Sequence, residues 1–352
     1  MDNHNSSLDS VISGDAVMSP EDLVGVCVRV LVCLVGLVGN LLVLFLLPRQ
    51  LKGKKDSFTL RLMLNLAVCD VLCMLTLPFW MLGMYYGWDA LGLPACQAIC
   101  YVAYVCLSAS TLAVSLMSIH RYVQVLYRPQ WERLGGRGEG LLLASIWLAS
   151  CLSAIPSVSL YALLDDTPAN SSQTLMVCEK APVSEGQKVG VLLYETLIGF
   201  VFPLITLVTA YFRLQHKVSQ KTRTVVEACG TSTQDAARSL RFLVTAIVAT
   251  FFLVYLPYHV VNVMTIFTPL SHNPQKTFTR LSSDLQATLT PPLPYRSART
   301  IVESVGFLNS CINPFLYAFA YVRLRNRKRS PSPAPTAGIT RKDNSNTNEA
   351  TA

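Results

Sequence analysis

The hydrophobic residues of this chain gather into long runs that are separated by short polar stretches. A helix of about 20 apolar residues crosses the ~30 Å hydrocarbon core of a bilayer, and lipid offers no partner to an unpaired backbone group. Seven runs are long enough, at roughly 23–48, 58–85, 94–126, 138–160, 188–214, 238–268 and 298–320. The pattern therefore predicts an all-α membrane protein built as a seven-transmembrane helix bundle.

The polar stretches divide the rest of the chain. We expect residues 1–22 to form an N-terminal tail, 23–320 the seven-helix transmembrane domain, and 321–329 a short amphipathic juxtamembrane helix. Residues 330–352 are rich in Ser, Thr, Pro and Asn, and this composition predicts a disordered tail.

The composition and the charge distribution agree with a membrane protein, because 51% of the residues are hydrophobic and only 14% are charged. The net charge of +8 does not indicate nucleic acid as a partner, since the basic residues alternate from loop to loop. The positive-inside rule predicts an extracellular N-terminus and a cytoplasmic C-terminus, and we expect the protein to lie in the plasma membrane. Two glycosylation sequons, at Asn5 and Asn170, fall on the predicted outer side.

Polar side chains inside the predicted spans are costly in lipid and therefore suggest a function. Asp70 lies near the middle of the second span, and the candidates to surround it are Ser110, Asn309 and Asn313. A carboxylate with neutral oxygen donors suits a small hard cation such as sodium, with Asp70 as the metal ligand, or a water cluster. A structural polar cluster without an ion is the alternative, and no other cofactor is expected.

Most spans carry one characteristic polar, aromatic or proline position, and these positions occur in a fixed order. They are Gly39-Asn40, Asp70, Trp147, Pro203, Pro257 and Asn313-Pro314-Phe315-Leu316-Tyr317. Each is weak alone, but the ordered set resembles the rhodopsin-like (class A) G-protein-coupled receptor family over about 23–329. The resemblance implies a receptor rather than an enzyme, with an extracellular agonist, a heterotrimeric G protein, receptor kinases and arrestin as partners.

The third span ends in His120-Arg121-Tyr122. In the family an acidic residue usually precedes this arginine and restrains it at rest, and the arginine contacts the G protein. Because histidine replaces the acid, we expect Arg121 to be less restrained and hypothesise a raised ligand-free activity. A neutral histidine in a hydrogen-bonded cap and a pH-sensitive histidine both fit the sequence.

The other expected activation residues lie on the sixth and seventh spans. Pro257 removes a backbone donor and kinks its helix, which provides a pivot for a two-state movement. Tyr255 stands where the family usually has tryptophan and would move with the kink. The resemblance adds Pro314 and Tyr317 of the seventh span.

The resemblance also implies a disulfide and a set of modified residues. In the family, the positions of Cys96 and Cys178 are bridged, which ties the second outer loop to the third span. The tail residues whose phosphorylation would recruit arrestin are Ser330, Ser332, Thr336 and Thr340.

Polar residues at helical spacing predict a ligand pocket in the outer thirds of the spans. The third span lacks the aspartate of aminergic receptors, and the second cysteine pair of chemokine receptors is missing. The candidate ligand-binding residues are Tyr104, Ser108, Glu195, Tyr258, His259, Asn262, Arg299 and Glu303. This set suits hydroxyl groups in an apolar cavity, with Arg299 pairing either with a ligand carboxylate or with Glu303 at the rim.

Two stretches of the predicted pocket wall, 194–203 and 256–262, resemble the leukotriene B4 receptors of the chemoattractant group, as does Ser297-Ala298-Arg299. The resemblance implies a lipid mediator agonist, leukotriene B4 or a related hydroxylated eicosanoid, and an inhibitory-class G protein in chemotactic and inflammatory signalling. Cys100 and Tyr161-Ala162 stand where those receptors have His and Arg, which leaves the partner of the carboxylate open. A peptide chemoattractant is the alternative ligand, and a membrane transporter or channel is the remote alternative.

Overall fold

The computed structural model describes residues 20–50, 58–89, 91–165, 176–226, 232–267, 301–302 and 304–315. The helices are α1 (Pro20–Gln50), α2 (Phe58–Tyr86), α3 (Gly92–Leu126), α4 (Arg128–Val158), α5 (Glu185–Thr196), α6 (Phe202–Val226) and α7 (Ser232–Ile266). A π-helical turn, Leu197–Val201, joins α5 to α6, so these three elements form the fifth span and α7 is the sixth. The described residues of 301–315 are mostly helical and belong to the seventh span.

Six stretches in the described part of the chain are long and apolar enough to cross a membrane as helices. They are Gly25–Arg49, Phe58–Gly83, Gly92–Gln124, Arg133–Val158, Glu185–Leu214 and Ala249–Ile266. The helical bundle predicted from the sequence is thereby confirmed. The predicted juxtamembrane helix at 321–329 and the predicted tail at 330–352 lie outside the described residues.

The bundle carries apolar side chains on its outside and polar side chains within it. On α1, Leu31 and Leu34 are more than half exposed, whereas Asn40 is fully buried. This arrangement is expected where hydrocarbon surrounds the spans, because a buried polar group then needs a partner inside the protein. The Asn40 amide donates to the backbone oxygens of Gly36 at 2.9 Å and Ser310 at 2.8 Å, and so links α1 to the seventh span.

Glycines let α1 approach its neighbours closely. A Cβ atom added at Gly36 would lie 2.8 Å from Met74 Sδ on α2 and 3.2 Å from Cys311 Sγ. At Gly39 it would lie 3.0 Å from Pro314 Cγ. Small residues at such contacts favour helix association in membranes, where apolar burial between helices supplies little driving force. These two glycines therefore hold α1 in one orientation against the bundle.

The helix α3 packs against α2, α4 and α6. The largest buried cluster joins Leu66 of α2, Ala113 and Met117 of α3, Leu207 of α6 and Phe251 of α7. Because α3 contacts several spans, its different faces contribute residues to more than one site along its length.

The second outer loop contains a β-hairpin in addition to the predicted helices. The strand β1 (Tyr161–Asp165) pairs antiparallel with β2 (Met176–Lys180), and Leu163 lies opposite Cys178. The predicted disulfide Cys96–Cys178 is confirmed and fastens β2 to the start of α3. Two short strands are marginal alone, and a disulfide to a distant part of the chain fastens β2, so the local sequence carried little signal for them.

We expect Cys178→Ser to release β2 from α3. Loss of a structural disulfide typically costs ~2–5 kcal/mol, so the unfolding temperature of the detergent-purified protein should fall. Cys100→Ser is the matched control, because Cys100 Sγ lies 3.9 Å from Cys178 Sγ but outside the bridge. Equal unfolding temperatures for the two variants would contradict this tethering role.

Candidate functional site

A cavity of about 380 Å³ lies at the end of the bundle that carries the hairpin. Its volume falls within the ~300–1,000 Å³ typical of small-molecule sites. Most of the side chains in its wall are apolar or aromatic. The predicted ligand-binding residues that reach the wall are Tyr104, Ser108, Glu195, Tyr258 and His259.

Glu195 is the centre of a polar network in this wall. Its Oε1 atom lies 2.6 Å from Lys180 Nζ. Its Oε2 atom accepts hydrogen bonds from Tyr258 OH and Asn262 Nδ2, both at 3.1 Å. The hydroxyl of Tyr258 also lies 3.4 Å from that of Tyr104. Predicted residues from the third, fifth and sixth spans therefore meet around one carboxylate.

Lys180 is a member of this network that the sequence pattern does not single out. It lies two residues after Cys178, so the disulfide holds it near α3, with its Nζ 5.5 Å from the centre of the Tyr104 ring. The side chains of Lys180 and Glu195 are 7% and 6% exposed. Because removing one member of a buried ion pair costs ~3–5 kcal/mol, each of the two charges depends on the other.

His259 and Ser108 differ in how their polar atoms are satisfied. The His259 ring stacks on Phe200 of the π-helical turn, with centroids 4.9 Å apart. Its Nδ1 atom is buried and has no hydrogen-bond partner among the described residues. The Ser108 hydroxyl, in contrast, lies 3.0 Å from the Ser153 hydroxyl of α4. His259 therefore contributes a polar ring with one unsatisfied nitrogen to the cavity wall, whereas the hydroxyl of Ser108 is engaged within the protein.

A second polar cluster lies around Asp70, which is fully buried. Its Oδ1 atom accepts from the hydroxyls of Ser110 at 3.2 Å and Ser310 at 2.8 Å. Its Oδ2 atom accepts from Asn313 Nδ2 at 2.9 Å. Ser310 thus takes the place that the sequence suggested for Asn309, which is also buried. The carboxylate and the two hydroxyl oxygens are hard donors, and their chemistry fits a small cation such as sodium.

His120, near the other end of α3, lies in a box of aromatic rings. Its Nδ1 atom is 3.1 Å from Thr59 Oγ1. Its ring centroid lies 5.1 Å from that of Phe58 and 4.4 Å from that of Trp131. Trp131 Nε1 in turn donates to Glu139 Oε1 at 3.2 Å. These contacts agree with the predicted hydrogen-bonded cap, and they connect α2, α3 and α4.

The remaining activation residues that the structure describes lie on α3 and α7. Arg121 is half-buried next to His120, and the Tyr122 ring lies 6.1 Å from that of Tyr127. Tyr255 lines the cavity and packs against Phe251 at 4.8 Å. Pro257 lies inside α7, two residues further along. Their role in activation remains a prediction.

Residues 39–317 match the family described as 7 transmembrane receptor (rhodopsin family). The chain belongs to this family. Its members are receptors rather than enzymes, and they have a ligand and a G protein as partners. This receptor is accordingly a multi-pass membrane protein, and the family predicted from the sequence is confirmed.

Several curated relatives resemble the receptor at comparable identity. Leukotriene B4 receptor 1 from Homo sapiens is 30% identical over 292 residues, which cover 81% of this chain and 73% of the relative. Somatostatin receptor type 4 from Rattus norvegicus is 28% identical over 301 residues, or 83% and 68% of the two chains. Apelin receptor A from Danio rerio is 27% identical over 306 residues, or 82% and 76%. These relatives agree on a receptor, but their names refer to different ligands.

Some predicted positions of the receptor lie outside the described residues. They are Asn5, Asn170, Arg299, Glu303, Tyr317, Ser330, Ser332, Thr336 and Thr340. Glycosylation, phosphorylation and the roles of Arg299 and Glu303 therefore remain predictions. The cavity wall also contains a charged residue that the sequence pattern did not mark, Arg29 of α1.

We expect Lys180→Met to destabilise the receptor by ~3–5 kcal/mol, because it leaves the Glu195 carboxylate buried without its cation. The double variant Lys180→Met/Glu195→Gln should recover a large part of this loss. Thermal unfolding of the detergent-purified receptor measures both. Lys188→Met is the matched control, since the partner of Lys188, Glu185, is 51% exposed, and such pairs contribute ~1 kcal/mol or less. Equal losses in the two single variants would argue against a special role for Lys180.

We expect His120→Asp to lower ligand-free signalling about fivefold, since an acid beside Arg121 adds ~1 kcal/mol of restraint to the resting state. Basal G-protein activation, corrected for the amount of receptor at the cell surface, measures the effect. His120→Asn is the control, because it is neutral and should not lower the signal. Wild-type signalling at the level of mock-transfected cells would refute the raised resting activity.

Proposed function

We propose that this receptor binds an amphiphilic lipid mediator, leukotriene B4 or a related hydroxylated eicosanoid, and activates an inhibitory-class heterotrimeric G protein in chemotactic and inflammatory signalling. In this proposal it acts in the plasma membrane, with its N-terminus outside the cell and its C-terminus in the cytosol. Receptor kinases then phosphorylate the C-terminal tail, and arrestin binds the phosphorylated receptor.

One observation carries the proposal: the wall of the cavity is largely apolar but includes the imidazole side chain of His259. An apolar wall favours a hydrocarbon chain, and a few polar side chains within it favour a ligand that brings hydroxyl groups to them. The phenolic side chains of Tyr104 and Tyr258 belong to the same wall. A long-chain acid with hydroxyl groups along its length meets both requirements.

The comparisons support both a lipid and a peptide ligand. Similarity to leukotriene B4 receptor 1 favours the lipid, whereas similarity to receptors named for somatostatin and apelin favours a peptide. A peptide carries many backbone polar groups, and a mostly apolar wall offers them few partners. The cavity chemistry therefore favours the lipid, and a peptide chemoattractant is the second candidate.

The Glu195 network suggests how a bound ligand acts on α7. Tyr258 and His259 directly follow Pro257, where the missing backbone donor lets the helix bend. A ligand that contacts His259 better in one orientation of α7 shifts the population toward that orientation by its difference in affinity. We infer that this movement opens the G-protein cleft near Arg121 and Tyr317, and that an allosteric sodium ion at Asp70 favours one of the two states.

Cells that express the receptor are expected to lower their cyclic AMP in response to leukotriene B4 and not in response to apelin or somatostatin. His259→Phe preserves a ring against Phe200 but removes the ring nitrogens. We expect it to raise the half-maximal concentration of leukotriene B4 up to about tenfold, which corresponds to one hydrogen bond.

Arachidonic acid serves as the ligand control because it has the same chain length without hydroxyl groups. Its displacement of labelled leukotriene B4 should be the same in wild-type and His259→Phe receptors. A response to a peptide, or no response to any hydroxylated eicosanoid when the receptor is at the cell surface, would overturn the proposed function.

A further inference from the structure

Three cysteines meet where the β-hairpin is fastened to α3. Cys96 and Cys178 form the disulfide, and Cys100 lies about one helical turn after Cys96 on α3. The Sγ atom of Cys100 is 3.9 Å from that of Cys178, and the three sulfur atoms lie within 4.8 Å of one another. Cys178 therefore has two cysteines of α3 within reach, of which it is bonded to the outer one.

The three sulfur atoms lie in apolar surroundings. The three cysteines are at most 4% exposed, and they pack in one cluster with Trp88 and Tyr161. Access is one of the factors that set the rate of thiol–disulfide exchange, so a reductant in bulk solvent reaches this bridge slowly. The thiol of Cys100 is already beside the bridge and is the nucleophile best placed to attack it.

We propose that Cys96, Cys100 and Cys178 form a three-sulfur exchange site, in which the bridge to Cys178 moves between Cys96 and Cys100. The sulfur of Cys100 loses its proton and attacks Sγ of Cys178. The Cys100–Cys178 bond forms as the Cys96–Cys178 bond breaks, and Cys96 leaves as a thiolate that takes up a proton. One bridge and one thiol are present before and after, so the exchange is redox-neutral and needs no oxidant or reductant.

The exchange requires a small movement of the hairpin. Two sulfur atoms are bonded at ~2.0 Å in a disulfide, so those of Cys100 and Cys178 have to approach each other by ~2 Å. The attacking sulfur aligns with the bond that breaks, whereas the three sulfurs form a compact group, so the Cys178 side chain also has to rotate. A two-stranded sheet such as β1 and β2 is marginally stable on its own, and it opposes these movements weakly.

The exchange changes the cavity as well as the bridge. Cys100 belongs to the cavity wall. Four residues of an α-helix rise ~6 Å, so a bridge at Cys100 instead of Cys96 draws β2 deeper along α3. Lys180 lies on β2 and moves with it, which weakens its contact with Glu195, 2.6 Å long in the present bridge. The two bridges therefore correspond to two states of the cavity wall.

Differential alkylation of the full-length, detergent-purified receptor tests the exchange. After overnight incubation at mildly alkaline pH, thiols are blocked with N-ethylmaleimide in denaturant. The bridges are then reduced and labelled with the deuterated reagent, and mass spectrometry locates both labels. Wild-type receptor should carry the first label on Cys96 in ~0.1–10% of chains, which is the population range of a minor state.

Two variants are the matched controls for this labelling. Cys100→Ser lacks the attacking thiol, so it gives the background level of the first label on Cys96. Cys106→Ser removes another buried cysteine of α3 and should leave the labelling of Cys96 at the wild-type level.

Cys96→Ser should hold the bridge at Cys100. The deuterated label is then expected on Cys100 and Cys178, and the unfolding temperature should fall less than in Cys178→Ser, because one bridge remains. Lys180→Met should lower the unfolding temperature less in the Cys96→Ser background than in wild type, since the contact with Glu195 is already weakened there.

Labelling of Cys96 in wild-type receptor no higher than in Cys100→Ser would overturn the exchange, and so would reduced Cys100 and Cys178 in folded Cys96→Ser. Equal losses from Lys180→Met in the two backgrounds would overturn the effect on the cavity. If Cys96→Ser does not fold, the comparison of wild type with Cys100→Ser decides. These measurements use no agonist, so their outcome is independent of the proposed lipid ligand.

Discussion

Hydrocarbon provides no hydrogen-bond partner, so each polar group that this chain carries into the bilayer has to be satisfied within the protein. The backbone meets this demand by forming helices, and the side chains meet it by collecting into clusters. Asp70 accepts hydrogen bonds from side chains of the third and seventh spans. Glu195 is paired with Lys180 and bonded to two residues of α7. Because each cluster draws on several elements, the demand that produces the helices also determines how they pack.

The spans and part of the cavity wall could be predicted from the sequence, because both depend on the local pattern of apolar and polar residues. Glu195 and Tyr258 could each be assigned to the pocket wall in advance, because each is a polar residue in the outer part of an otherwise apolar span. Lys180 could not, because it reaches Glu195 only through the disulfide and the register of the β-hairpin. Neighbouring residues of a helix point about 100° apart, so the choice of Ser310 over Asn309 as a partner of Asp70 required the actual rotation of the seventh span.

At the inner end of α3, a histidine packed between aromatic rings stands where the family usually has an acidic residue. Where the family usually places a carboxylate beside the arginine, this receptor has the imidazole of His120 packed between Phe58 and Trp131. Thr59 satisfies one of its nitrogens. The packing of aromatic rings depends on their shape rather than on charge. The surroundings of Arg121 therefore depend on how α2, which carries Phe58, fits against α4, which carries Trp131.

The close packing of α1 at Gly36 has a consequence at a distance. Arg29 and Gly36 are seven residues apart, close to two full turns, and so share one face of the helix. The close approach of Met74 and Cys311 to Gly36 determines the rotation of α1 about its axis, and so the direction in which that face points. A bulkier residue at Gly36 would turn the helix and swing the guanidinium toward the acyl chains, although Gly36 lies outside the described cavity wall. A substitution at Gly36 would therefore change the cavity wall without touching it.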